Sequence, residues 1–287
     1  MLAGPDKYAT SVSGQARMTL IRQQQSSGDM SPERAYEIRG IRVDAIDVYR
    51  ARDEICARAP TAKGDYVTVS GAPGIVAAVY DEKIHEAHRQ AALVVADGMP
   101  VVWLGRLLGF SSIGRVNGPE LMELIFEKEE YRKLRHFFYG ARPSTISELI
   151  RVIETRFGAL NTVGTYSPPI GPIGFSEDEE VLARIRALKP DLVWISLSTP
   201  KQEVWMQMHM RKIGCGLGVG VGAAFDLLAG TVVRAPRWIQ RSGFEWLFRL
   251  AVEPRRLYKR YFFVVPRFAY ICVETLIKQR LGITSLE

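Results

Sequence analysis

The chain has 287 residues, 47% of them apolar and 24% charged; these proportions exclude wholesale disorder, a collagen-like repeat and a polytopic membrane protein. That length is enough for one large α/β domain with an appendage, and too long for a disulfide-stapled miniprotein. The net charge of +7 is confined to residues 234–287, which hold 11 basic and 4 acidic side chains, whereas residues 1–233 carry 27 of each sign. An anionic partner is therefore expected for the tail and not for the body.

Residues 1–36 are rich in Ser, Gln, Gly and Met without a sustained apolar period, and read as a disordered lead-in. From Glu37 onward strand-like and helix-like stretches alternate. IRGIRVDAID precedes a helix over Val48–Arg58, DYVTVSG precedes Ile75–Ala92, and LVVAD precedes Pro100–Leu108 and Gly118–Phe126. HFFYG, NTVGTYS and DLVWISLS then precede helices over Pro143–Phe157, Glu177–Leu188 and Lys201–Arg211, and CGLGVGVG closes the series. Short, doubly apolar strands separated by amphipathic helices predict a doubly wound, mostly parallel sheet covered on both faces over residues 37–233. Residues 234–287 form a basic, aromatic-rich helical appendage in which Trp238, Phe244, Trp246, Phe248 and Tyr258 interleave with Arg237, Arg241 and Arg249. Its most apolar run, Tyr261–Ile277, is interrupted by Pro266, Arg267 and Glu274, so the expectation is a segment that lies on a bilayer without crossing it.

Cys56, Cys215 and Cys272 are widely spaced, with no CxxC pair, and the N-terminus lacks the apolar core of a signal peptide; a reducing cytoplasmic setting is expected.

In open α/β sheets ligands bind beyond the carboxyl ends of the strands, which directs attention to four constellations. LVVADGMP ends an apolar strand in Asp97, where a carboxylate can take a proton from a substrate hydroxyl; capping of the following helix is the plainer alternative. STPKQEVWM places Lys201 and Gln202 at a helix start, where free backbone N–H groups can meet an anion, and ordinary capping is again the alternative. The alternating glycines of GCGLGVGVG are not GxGxxG and argue against a nicotinamide site; close packing against a helix explains them better. Arg234, Arg237, Arg241, Arg249, Arg255, Arg256 and Arg260 match phosphate oxygens in a bidentate fork and suit an anionic membrane surface. A nucleic-acid surface competes for the same charges, but no RNA-binding, helix-turn-helix or zinc-finger pattern accompanies them. Among the histidines, His85 and His88 share a helix face that reads as solvated, without a completing metal set.

Together DGMP (97–100), RVNGPEL (115–121), FFYGARP (137–143), PDLVWISLSTPKQEVWM (190–206), VGAAFDLLAG (221–230) and RAPRWIQRSGFEWLFRLAVEPRRLYKR (234–260) resemble glycosyltransferase family 26 over about residues 38–267. The resemblance implies a Rossmann-like fold with a membrane-touching appendage. It also implies an inverting, metal-independent and cofactor-free transferase that moves a sugar from a UDP-sugar to a polyprenyl-diphosphate-linked saccharide, peripherally bound at the cytoplasmic face of the inner membrane. It assigns Asp97 as general base, places Arg115, Lys201 and Gln202 near the substrates, and suits Arg249, Arg256 and Arg260 to a diphosphate; no nucleic acid is involved, and self-association is compatible with it. Thr68 and Ser70 are expected to line the sugar pocket, although Ser70 stands where many members carry Asn, Pro73 where many carry His, and Ser196 and Ser198 where many carry Gly. These departures favour an exopolysaccharide glycosyltransferase over the N-acetylmannosamine branch, within the wider expectation of exopolysaccharide or cell-envelope polysaccharide synthesis. A membrane-bound nucleotide-sugar-binding or scaffold protein without catalysis is the rival expectation.

Overall fold

The computed structural model describes residues 35–169, 179–232, 235, 236, 239, 245–252 and 254–281; residues 1–34 of the expected lead-in lie outside them. Its last two, Ala35 and Tyr36, instead open the first strand, with the Tyr36 ring buried and its hydroxyl donated to Val101 O at 2.8 Å. Eight strands form one sheet in the order β1-β2-β4-β3-β8-β7-β5-β6. β1 (Ala35–Ile38) pairs antiparallel with β2 (Ile41–Asp44), and every other pairing is parallel, among β2, β3 (Lys63–Ser70), β4 (Leu93–Ala96), β5 (His136–Gly140), β6 (Thr162–Tyr166), β7 (Leu192–Ser196) and β8 (Gly216–Gly220). The doubly wound α/β expectation holds. The first predicted strand is instead a hairpin, because Arg39 and Gly40 turn at φ 47° and 79°, a left-handed pair that an extended strand cannot contain.

Helices cover both faces. One face carries α1 (Val48–Arg58), α5 (Gly118–Glu127), α7 (Pro143–Phe157) and α10 (Ala224–Leu228), whose Ile55, Leu121, Leu149 and Phe225 join Val67, Val95, Trp194 and Val219 of the sheet in one core. The short α6 (Glu129–Arg132) follows α5. The other face carries α2 (Ala72–Tyr80), α3 (Glu82–Arg89), α4 (Met99–Leu107), α8 (Glu179–Leu188) and α9 (Lys201–Ile213) over Val94, Val193 and Ile195. The single helix predicted across Ile75–Ala92 breaks at Asp81, whose carboxylate accepts the Lys83 and Ile84 N–H groups and starts α3.

The alternating glycines do what packing requires. A Cβ on Gly218 would stand 3.0 Å from Met210 Sδ, and one on Gly220 would stand 2.8 Å from Met206 Cε and 3.2 Å from Gln202 Cδ. The bare face of β8 thus lets α9 sit directly on the strand, as the sequence suggested.

Beyond the body run α11 (Glu245–Val252) and α12 (Pro254–Arg280). Phe268 and Ile271 of α12 are buried with Ile38, Ile75 and Val102. Arg39 pairs with Glu274 and its guanidinium lies 5.6 Å from the centroid of the Tyr270 ring, so the β1–β2 turn holds the helix by charge as well as by packing. No helix among the described residues is long and apolar enough to cross a membrane.

Candidate active site

The chain leaves β3 into α2 on one face of the sheet and leaves β8 into α10 on the other, as the separate cores of Ile75 and Phe225 show. β3 and β8 are neighbours, so their carboxyl ends flank a crevice at a topological switch point, where α/β sheets bind ligands. Two strand-end glycines open on it: a Cβ on Gly222 would meet nothing within 4 Å, and one on Gly98 would meet only Pro100 Cδ at 3.8 Å.

Asp97 stands half-buried at the tip of β4, its N–H donated to Ser70 O at 2.9 Å. Gly98 is the N-cap of α4 at φ 93° and ψ 147°, which sets Asp97 one residue ahead of the cap position. The Arg115–Gly118 segment crosses the strand ends beside it. Val116 N–H donates to Ala96 O at 2.8 Å, and Gly118 packs so closely on the end of β8 that a Cβ there would lie 2.4 Å from Val221 O. Asn117 caps α5 by accepting the Glu120 N–H, and Glu120 lies 3.6 Å from the Arg115 guanidinium. This local chemistry brings Arg115, 13% exposed at its side chain, to the strand end that carries Asp97.

Gln202 lies deeper than the motif suggested. It is 1% exposed; its Oε1 accepts the Gly222 N–H at 2.9 Å and its Nε2 donates to Glu203 Oε1 at 3.1 Å. The hydroxyl of Ser196 donates to Gly222 O at 2.6 Å, so both polar groups of Gly222 are held by side chains. Thr199 Oγ1 donates to Glu203 Oε1 at 3.2 Å. Gln202 is therefore a bracket for the Gly222 turn, with its carboxamide behind the crevice wall. Lys201 is exposed at the start of α9, where the Lys201 and Gln202 N–H groups return to Ser198 O at 2.7 and 3.3 Å.

Thr68 and Ser70 point to the α3 and α9 side of the sheet, and both are buried. His88 Nδ1 lies 2.8 Å from Ile84 O and Nε2 lies 2.8 Å from Ser70 Oγ. A carbonyl only accepts, so Nδ1 carries the proton and Ser70 donates to Nε2. Burial pushes the His88 pKa down, against the Ile84 hydrogen bond that favours the proton, which keeps the ring neutral. The expected solvated histidine face is corrected at His88, which is 1% exposed. Thr68 is 0% exposed with an unpaired hydroxyl between Val94 and Gly220. Both residues thus underlie the strand end.

Arg234, Arg237 and Arg241, and the side chains of Arg249, Arg256 and Arg260, lie outside the described residues. Sequence reasoning missed Glu203 and His88 as members of this region, and Ser196, noted only as a departure from the family pattern, holds Gly222 O. The signal for His88 was its spacing from Ile84 on the apolar stripe of α3, and that for Gln202 was its register with Met206 and Met210 on α9.

Two clefts, of about 430 and 460 Å³, lie at the opposite edge of the sheet, before β3, β7 and β8 and before β5 and β6. Arg186 Nη2 donates to Lys212 O there. Arg186 of the first cleft thus answers the carbonyl end of α9, and helix carbonyl ends are a setting unfavourable to an anion.

Residues 36–282 match the sequence pattern described as the glycosyl transferase WecG/TagA/CpsF family. The chain belongs to that family. It is 30% identical over 195 residues to an N-acetylglucosaminyldiphosphoundecaprenol N-acetyl-beta-D-mannosaminyltransferase of Bacillus spizizenii, a span of 68% of this chain and 74% of the relative. A protein of the same name from Bacillus subtilis is 28% identical over 194 residues, covering 67% and 73%. The protein is thus a glycosyltransferase of the WecG/TagA/CpsF family, with Asp97, Arg115 and the Gly222 turn within the matched span.

Proposed function

We propose that this glycosyltransferase moves a sugar, with inversion, from a UDP-sugar to a saccharide carried on a polyprenyl diphosphate, in the synthesis of an exopolysaccharide or envelope polysaccharide. The acceptor class follows from the names of the two relatives, whose acceptor is a diphosphoundecaprenol-linked sugar. The observation that carries the chemistry is the presence of Asp97 and Arg115 at one strand end of the switch-point crevice. In the proposed step the acceptor hydroxyl gives its proton to the Asp97 carboxylate as its oxygen bonds to the anomeric carbon. The bond from that carbon to the diphosphate breaks on the opposite side, and its electron pair leaves with UDP. Arg115, with Arg249, Arg256 and Arg260 of the tail, meets the charge that develops on the diphosphate. Gln202 and Ser196 shape the turn at Gly222, and Lys201 stands exposed at the rim.

The appendage is proposed to hold an anionic bilayer at the cytoplasmic membrane face. α12 contains seven Arg or Lys residues and one Glu, and its uncovered side exposes Phe262, Phe263, Val273 and Ile277, the composition of an interfacial helix. The departure at Ser70 supports a donor other than N-acetylmannosamine, since a hydroxyl engaged with His88 replaces a side-chain amide.

The test supplies purified protein with a polyprenyl-diphosphate sugar and a panel of UDP-sugars, and measures UDP release together with the mass gained by the lipid. One hexose or N-acetylhexosamine gained, and lost in Asp97→Asn with unchanged folding, is the expected result. UDP-sugar binding with no transfer from any donor would overturn the reading in favour of a sensor.

A further inference from the structure

The body exposes few large apolar side chains, and their placement is uneven. Among the described residues from Ala35 to Ala229 they are Tyr49, Tyr80, Trp103 and Leu107. Tyr49 stacks under the Arg52 guanidinium, 5.6 Å from the ring centroid. The other three flank α12. Tyr80 ends α2 and lies 5.6 Å beneath Arg267 of α12. Trp103 and Leu107 stand one turn apart on α4, 44% and 71% exposed, and the carbonyl of the next residue, Leu108, accepts Gln279 Nε2 of α12 at 3.1 Å.

α4 and α12 share one core through Val101, Val102, Leu104, Phe268 and Ile271, so their uncovered sides lie on the same side of the sheet. Tyr270, Val273 and Ile277 are exposed along α12, and Leu281 just past its end. Apolar surface concentrated in this way marks an interaction face. The two helices themselves carry net positive charge: Arg106 is the one charged residue of α4, and the one acid of α12, Glu274, is bound by Arg39 and Lys278. A second copy meeting this face by two-fold symmetry would set basic rim against basic rim. An anionic bilayer complements both the apolar surface and its rim.

We propose that α4 of the body, through Trp103 and Leu107, enters the same anionic bilayer as α12. The catalytic domain then makes its own membrane contact, two residues downstream of Asp97, and the bilayer surface is held at a fixed orientation to the mouth of the crevice. This inference rests on the peripheral-membrane reading above.

The test is cosedimentation of the full chain with phosphatidylglycerol vesicles, using phosphatidylcholine vesicles as reference, for wild type and W103E/L107E. Tryptophan quenching by lipids brominated in the acyl chain is measured in parallel for wild type and W103F. The expected result is affinity for the anionic vesicles about 10- to 100-fold lower in W103E/L107E and quenching smaller in W103F than in wild type. Melting temperature and turnover on a short-chain, water-soluble acceptor should be unchanged. Wild-type binding with neither variant altered would overturn the α4 contact and leave the membrane reading standing. Absence of wild-type binding would overturn both. A dimer of the wild type that W103E/L107E dissociates would assign the face to a second copy and refute the proposal.

Discussion

Replacing Gln202 by Leu separates a residue that touches substrate from one that shapes the site behind it. Leu keeps nearly the volume of Gln and the apolar contact with Gly220, so packing is little changed. Two hydrogen bonds disappear. The half-buried Gly222 N–H loses its acceptor, and the fully buried Glu203 carboxylate loses one donor. An orphaned buried polar group costs about 1–3 kcal/mol, more when charged, so the two losses sum to roughly 2–5 kcal/mol. For a domain of this size that corresponds to a melting temperature lower by on the order of 5–15 °C. Gln202→Glu should be worse than Leu, because it sets a second carboxylate against Glu203 where neither reaches water. The assay is thermal and denaturant unfolding of the three proteins, with turnover measured well below the lower melting point. A variant Gln202→Leu that melts with wild type while its KM rises sharply would refute the bracket and restore a direct substrate contact.

Gly118→Ala should reduce turnover and cost about 1–3 kcal/mol, because its Cβ would meet Val221 O at 2.4 Å and push the Arg115 segment off the end of β8; unchanged melting and kinetics would contradict that packing. Asp97→Asn should fold normally and lose turnover, as read by UDP release. His136 is fully buried, with its Nε2–H donated to Tyr131 O at 2.9 Å and Nδ1 accepting the Trp194 indole N–H at 3.1 Å. Burial pushes its pKa down to about 4, opposed by the Tyr131 hydrogen bond. The unfolded chain binds this proton near pH 6.5 and the folded chain only near 4, so stability falls as pH drops through that window, by about 3 kcal/mol in total. Urea unfolding at pH 7, 5.5 and 4.5 should show a steeper loss in wild type than in His136→Phe, and parallel slopes would contradict the assignment.

How far the site was legible depends on how local its causes are. Asp97 was visible because LVVAD is an apolar run that ends in a carboxylate before Gly98, and strand tips are where such sheets bind ligands. The glycines of β8 were visible as a period of two, but that Met206 and Met210 of α9 are what packs on them required the pairing of strand and helix. Gln202 shows the limit. Its motif pointed to the substrates, while its register with Met206 put its carboxamide under the Gly222 turn. His88 likewise shares the stripe of Ile84, yet its partner Ser70 comes from β3.

The sequence by itself determined the alternation of strands and helices, the charge of the tail and the family, because periodicity, composition and motif order are properties of neighbours along the chain. Only the tertiary structure decided that β3 lies beside β8, that the chain departs those strands onto opposite faces, and that Arg115 arrives at the end of β4. It also set α4 and α12 on one side of the sheet, with Trp103 and Leu107 beside the basic helix. These arrangements follow from burying two faces of one sheet at once, a constraint that couples residues distant in sequence and leaves no local trace in it.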